Sequence, residues 1–407
     1  MKHYSFSISA ISRAVVASSF LFNAVLFNSV LLSVTSFTLS AEALNKVSLT
    51  VEELRIDKAL QQMPDVFSPL SARVNLFGSQ IEQARNFTAL TQLIIRHGDG
   101  LWKDGVKSFN DLQGFDDRSL YWARLQMTKA LRSSTAFIQL LPVQQQKLLW
   151  QFELLSRGQK DVNFNKQTRK KILVTGFDPF FLDRHIDQSN PSGLAALALD
   201  DLLISKDGVS AEIETLIVPV RFADFDQGMI EELLTPYLKK VDMIVTISMG
   251  REHFDLERFP GLRRSAKAPG NLNVFTGASA ENPLKPLLNG KELPGPEFVE
   301  FSLPVLAMQK AQGDYQVNDN AKVTTLTKTF TASSLTELNN EISVAGSGGG
   351  YLSNEISYRS LILRDQYNPV LPVGHIHTPR IKAFDPKASA KIVKQIKQML
   401  TLAIPEI

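Results

Sequence analysis

Lys171-Ile172-Leu173-Val174-Thr175-Gly176-Phe177-Asp178-Pro179-Phe180 is the stretch that decides the fold. Its apolar residues are continuous rather than alternating, and they run into a glycine turn. That is the pattern of a short strand covered on both faces, as in a parallel sheet. Reading outward, residues 191–204 form an amphipathic helix with Pro191 in its first turn. Residues 212–220 read as a strand, 225–239 as a helix, and 241–248 as a β-branched strand running to Gly250. A Lys-rich amphipathic helix over 387–402 closes the region. Strands alternating with helices predict an α/β fold, a mostly parallel sheet with helices on both faces. Ligands of such sheets bind at the carboxyl ends of the strands. The places to look are the turns after Thr175, after Ser248 and before the last strand.

Upstream, residues 47–156 carry helical spacing. Thr50-Val51-Glu52-Glu53 is a capping box, and Leu148, Leu149, Phe152 and Leu155 form one apolar stripe between Pro142 and Gly158. A further helix is expected within 116–141. His97, in Arg96-His97-Gly98-Asp99-Gly100, reads as a structural residue beside a glycine turn. Residues 157–170 are polar and basic without apolar periodicity, as in a linker. At the start of the chain, Lys2 and Arg13 precede an uncharged, largely apolar stretch, and Ala41-Glu42-Ala43 offers a small-residue cleavage site. That order describes a secretory signal; the alternative is an uncleaved membrane anchor, since the uncharged run exceeds the ~20 residues a span needs, but its Ser and Asn interruptions and the cleavage site favour the signal. The expected organisation is a signal peptide over 1–43, an α-helical accessory domain over 44–156, a linker over 157–170 and an α/β domain over 171–407, with export to the periplasm.

The 407 residues include no cysteine, which removes disulfides, thiolate metal sites and thiol nucleophiles. The net charge of +3 comes without clustered Lys/Arg and interleaved aromatics, so no nucleic-acid partner is expected. Three segments can carry chemistry. The first is Gly346-Ser347-Gly348-Gly349-Gly350-Tyr351-Leu352-Ser353-Asn354. Its backbone could aim amides at an anion, or it could be a flexible surface loop. It fits neither the Walker pattern nor GxGxxG, so no cofactor is expected. Ser347 imitates a nucleophile elbow, but the helix such an elbow needs starts too late, near Ser353. The second segment, Gly374-His375-Ile376-His377-Thr378-Pro379, puts two histidines on one face of a strand. It could be a metal pair or a single base at a strand end; no carboxylate completes a ligand set, and no metal is expected. The third is the acidic loop over 250–261, whose Glu257 could orient an imidazole or stay solvated.

In order, these segments resemble the pyroglutamyl peptidase I family, omega peptidases that remove an N-terminal pyroglutamyl residue. Gly176-Phe177-Asp178-Pro179-Phe180 is similar to the family's GFDPF, Asn190-Pro191-Ser192 to its N-P-S helix start, and Ile217-Val218-Pro219-Val220 to its V-P-V strand. Leu256-Glu257-Arg258 resembles I-E-R, Phe301-Ser302-Leu303-Pro304-Val305 resembles S-T-L-P-I, Gly350-Tyr351-Leu352-Ser353-Asn354 resembles G-T-Y-V-C-N, and Gly374-His375-Ile376-His377-Thr378-Pro379 resembles G-F-I-H-V-P. The resemblance covers residues 170–402 and implies the fold just described. It also implies a catalytic set of Glu257, Ser353 and His377, with Phe177 and Phe180 lining the pocket for the lactam ring and His375 left structural. The implied substrate is a peptide or small acyl amide, and homo-oligomeric assembly is a family habit.

Four departures qualify it. Ser353 stands where the family has its cysteine nucleophile. Residues 259–277, with Arg263, Arg264 and Lys267, are unlike the family's substrate loop and would suit a carboxylate-bearing acyl group. A polar insert lies within 313–340, and the helical region has no counterpart. A hydroxyl does not ionise beside an imidazole as a thiol of pKa ~8.5 does. It needs a base that takes its proton during attack and a third group holding that base, which His377 and Glu257 could supply. The expectations are a serine-nucleophile amide hydrolase, a silent relative that binds capped peptides, or a structural exported protein whose helices are the functional part.

Overall fold

In the computed structural model, which describes residues 49–112, 116–164 and 170–407, the capping box at Thr50 forms as its residues require. The Thr50 hydroxyl accepts from the Glu53 amide at 3.2 Å, and the Glu53 carboxylate accepts from the Thr50 amide at 2.7 Å. The helices that follow are α1 (Val51–Leu54), α2 (Ile56–Gln62), α3 (Ser71–Gln83), α4 (Phe87–Leu112), α5 (Arg118–Ser133), α6 (Thr135–Ile138) and α7 (Pro142–Leu155). Phe77, Trp102, Leu148 and Phe152 are fully buried among them. The turn expected at His97 is absent, because α4 runs through Gly98 and Gly100. Gly98 is there for packing: a Cβ on it would stand 2.8 Å from the Leu155 Cβ. The His97 ring is buried, with Nε2 2.8 Å from Gln80 Oε1.

The α/β region contains β1 (Lys170–Phe177), α8 (Pro191–Leu199), β2 (Leu202–Lys206), β3 (Val209–Val218), α9 (Phe222–Asp226), α10 (Met229–Leu234), β4 (Met243–Met249) and β5 (Phe254–Glu257). A hairpin of β6 (Leu287–Leu288) and β7 (Lys291–Glu292) follows, then α11 (Val305–Met308). After it come β8 (Val317–Asn320), β9 (Lys322–Thr325), β10 (Thr329–Thr331), β11 (Ser343–Ala345), α12 (Leu352–Tyr367), β12 (Val373–Thr378) and α13 (Pro386–Ala403). The main sheet has the order β2-β3-β1-β4-β12-β5-β8. Its centre, β3-β1-β4-β12, is parallel, while β2 and β5 run antiparallel to their inner neighbours. From Ile172 onward every residue of β1 is buried, as is every residue of β12, so both sheet faces are covered. The expected mostly parallel α/β sheet is what forms. Two helices are shorter than their periodicity suggests. The one over 191–204 stops at Leu199, and the chain reverses through Asp201 at φ +58° into edge strand β2. The one over 225–239 is broken at Gly228, whose φ of +84° lies in the left-handed region.

Val47–Ile407 cluster as one compact unit. The expected linker starts with a residue that does not behave as one: Arg157 is buried. Its Nη1 donates to Asp178 Oδ2 at 2.7 Å, its Nε donates to Glu153 at 2.9 Å, and its carbonyl accepts from the Ile217 amide at 3.1 Å. Arg157 thus belongs to a buried ion network, while Lys160 beyond it is exposed. The signal expected over 1–43 lies outside the described residues. Among those described, no helix is long and apolar enough to cross a membrane.

Candidate active site

The carboxyl ends of the parallel strands converge on one cavity of about 310 Å³. Phe177 ends β1, Val220 follows β3, Ser248 and Met249 end β4, and His377 lies near the end of β12; all of them line it, with Asn190, Tyr351 and Ser353. Phe180 and Phe181 add apolar wall. Both phenylalanines singled out in the sequence, Phe177 and Phe180, therefore face the same space as His377 and Ser353. Close backbone approach sets this corner. A Cβ on Gly176 would run into the Ser192 carbonyl, and the Ser192 hydroxyl accepts from the Phe177 amide at 3.0 Å.

Glu257 is fully buried, and its Oε1 lies 2.6 Å from His377 Nδ1. Burial pushes the Glu257 carboxyl above its usual range, and the imidazole beside it acts in the opposite direction. The other carboxylate oxygen accepts from Asn320 Nδ2 at 2.8 Å, and the same amide donates to the Ser347 carbonyl at 3.0 Å. Asn320 comes from the polar insert, which adds β8 to the sheet beside β5. His377 Nε2 makes no hydrogen bond among the described residues. Ser353 is the second residue of α12, and its hydroxyl donates to the Gly348 carbonyl at 3.3 Å rather than to His377.

The other candidates are structural. Ser347 is 1% exposed and lies outside the cavity; its hydroxyl accepts from the Phe259 amide at 3.0 Å. His375 is fully buried between Thr246 Oγ1 at 2.8 Å and Ser248 Oγ at 2.7 Å, and burial holds its pKa well below the usual value, so it is neutral. In the glycine run, the Gly349 amide is committed to the Gly346 carbonyl at 2.9 Å. The better anion donors are the first amides of α12, since Tyr351 at its N-cap makes no side-chain cap.

The loop after Glu257 reaches the cavity through Ala266 and Ala268, but its charged side chains do not line it. Arg263 is paired with Glu297 at 2.8 Å, Arg264 with Glu355 at 2.6 Å and with Asp226 at 2.8 Å, and Lys267 lies 3.6 Å from exposed Glu281. Two other arginines, Arg251 and Arg380, line the cavity and are exposed. Neither forms an ion pair among the described residues. The Arg380 amide donates to the Arg251 carbonyl at 2.7 Å, which holds the two side by side at the rim.

The helical region supports the floor. Arg124 on α5 donates to Asp178 Oδ1 at 3.0 Å and Arg157 to Asp178 Oδ2, which fixes the residue between Phe177 and the Pro179-Phe180 wall. Asp117, just before α5, accepts from the Ser189 hydroxyl at 2.6 Å and the Asn190 amide at 3.0 Å, and Asn190 Nδ2 donates to the Asp178 carbonyl at 2.9 Å.

Residues 37–153 match the family model described as "PA0049 N-terminal domain", and residues 171–292 and 307–382 match "PA0049, C-terminal domain". An uncharacterized protein of Pseudomonas aeruginosa, PA0049, is 28% identical over 410 residues, covering 77% of this chain and 74% of its own. A pyrrolidone-carboxylate peptidase of Lacticaseibacillus paracasei is 25% identical over 213 residues, 51% of this chain and 77% of its own. Among solved structures, pyrrolidone carboxyl peptidase of Pyrococcus furiosus aligns with a TM-score of 0.40 at 19% identity, covering 58% of this chain and 99% of that one. Pyroglutamyl peptidase I of Bacillus amyloliquefaciens aligns with a TM-score of 0.40 at 21% identity, over 58% and 97%.

Proposed function

We propose that this chain is an exported amide hydrolase that releases an N-terminal pyroglutamyl or similar acyl group, with Ser353 as nucleophile, His377 as base and Glu257 orienting it. One observation carries the reading. A fully buried carboxylate holds His377 Nδ1 at 2.6 Å and leaves Nε2 unbonded in a residue that lines the same cavity as Ser353. Similarity to a pyrrolidone-carboxylate peptidase supports the reaction class. In the reaction, Nε2 takes the hydroxyl proton as Ser353 Oγ attacks the acyl carbonyl. The proton then passes to the departing amine as the C–N bond breaks, and water hydrolyses the resulting ester by the same route. The uncapped amides at the start of α12 stabilise the oxyanion. Substrate must first turn the Ser353 hydroxyl from Gly348 toward His377; hydrogen bonds of this kind commonly tighten only once substrate is bound.

That starting orientation is what favours the second reading, a silent relative that holds capped peptides in the same cavity. Turnover of a fluorogenic pyroglutamyl amide, lost in Ser353→Ala, separates the two.

The rim gives the substrate a charge preference. The buried, apolar end of the cavity suits the acyl group, and the exposed Arg251 and Arg380 suit a carboxylate on the leaving amino acid. Charge-assisted hydrogen bonds contribute about 1.5–3 kcal/mol, and exposure reduces that. Arg380→Ala is therefore expected to lower kcat/KM roughly tenfold for an acyl amino acid with a free carboxylate, and to leave its carboxamide unchanged. Equal losses on both substrates would remove the rim from substrate recognition.

A further inference from the structure

Away from the cavity, the end of the helical region meets the corner between α8 and β2, and acidic side chains gather there. One oxygen from each of Asp161, Asp200 and Asp201 lies within 4.8 Å of the others. Asp200 is only 7% exposed; its Oδ1 accepts from the Thr215 amide at 3.0 Å and hydroxyl at 2.8 Å, while Oδ2 is buried with no hydrogen-bond partner. Glu214 on β3 is 1% exposed and also has both carboxylate oxygens unpartnered; the Asn163 backbone is close, outside hydrogen-bond geometry. Asp99 on α4 adds a further charge. Among the described residues the offsetting cations are Lys103, 3.5 Å from Asp161 and 3.2 Å from Asp99, and Lys160, 3.6 Å from Asp99. Both lysines are more than half exposed. Two solvated lysines facing five carboxylates leave negative charge uncompensated in a partly dry corner.

We propose that Asp161, Asp200 and Asp201 bind a calcium ion that ties the end of the helical region to the α8–β2 corner. All three donors are oxygen, without histidine, as hard cations prefer. Calcium–oxygen bonds of ~2.3–2.6 Å place two ligands of one ion at most ~5 Å apart, and the observed spread falls inside that limit. Magnesium dehydrates reluctantly and keeps several waters, which a partly dry corner disfavours. The unpartnered Asp200 oxygen supplies a ligand that no protein donor claims, and water completes the shell.

Calorimetric titration of the chelator-treated full chain with calcium chloride tests this. One bound calcium is expected, with a thermal unfolding midpoint raised by several degrees. Asp201→Asn changes an exposed residue, so it should fold normally while weakening calcium about tenfold or more. Absence of binding at millimolar calcium, an equal response to magnesium, or unchanged affinity in Asp201→Asn would overturn the assignment.

Discussion

Glu257→Gln is expected to lower kcat for a pyroglutamyl amide by about 10⁴-fold while leaving the fold intact, as loss of the orienting carboxylate does in other nucleophile–base–acid sets. The reason lies in Asn320. Its amide donates to Glu257 Oε2 at 2.8 Å, so a glutamine at 257 must keep its oxygen toward Asn320. The glutamine NH₂ then faces His377 Nδ1 and forces that nitrogen to accept. The imidazole proton moves to Nε2, the nitrogen that has to receive the Ser353 proton, and the base is locked in the wrong tautomer. Asn320→Ala in the Glu257→Gln background frees the glutamine to flip, so part of the activity should return. Steady-state kinetics of the two variants checks this; a Glu257→Gln enzyme within tenfold of wild type would detach Glu257 from the chemistry.

Arg157→Ala is expected to destabilise the protein by about 3–5 kcal/mol, the cost of leaving a buried charge without its partner. Arg157 is 2% exposed and bridges Glu153 and Asp178, both buried. Burial resists ionisation of Glu153, yet Arg221 and Arg157 hold its carboxyl well below the usual range, so the removed cation leaves charge that cannot simply protonate at neutral pH. Urea unfolding measures the loss. Since Asp178 sits between Phe177 and Phe180, the folded fraction should also show a raised KM, and Arg157→Lys should recover part of both. A change under 1 kcal/mol in Arg157→Ala would show that Arg124 alone suffices to hold Asp178.

How far the sequence discloses all this depends on whether a feature is local. The α/β core was legible because Ile172-Leu173-Val174 and the segments after it carry their periodicity and motifs in the chain itself. Glu257, Ser353 and His377 were legible only as members of an ordered set, and the structure brings Glu257 onto His377 and both His377 and Ser353 onto one cavity. Asn320 was hidden in a Thr/Asn/Lys-rich insert whose composition suggests only solvated loop. Arg251 lay in a stretch whose carboxylates drew attention, and Arg380 beyond the histidine motif. Their role depends on their forming no ion pair, a property that spacing does not display. The reverse holds for Arg263 and Arg264, which looked free for an acyl carboxylate but are matched to Glu297, Glu355 and Asp226. Arg157, Asp178 and Arg124 meet across 21 and 54 positions of sequence separation, so the buried ion network they form does not show in the polar composition around Arg157. The Asp161, Asp200 and Asp201 trio is scattered in the same way.

The central claim is that an oxygen nucleophile at 353 works with His377 and Glu257. Its most direct measurement is hydrolysis of a fluorogenic pyroglutamyl amide by wild type, Ser353→Ala and Ser353→Cys, prepared identically. The account predicts turnover by wild type and its loss in Ser353→Ala. No turnover by wild type together with gain in Ser353→Cys would contradict it, and would leave the cavity as a binding site that has kept its base and lost its nucleophile.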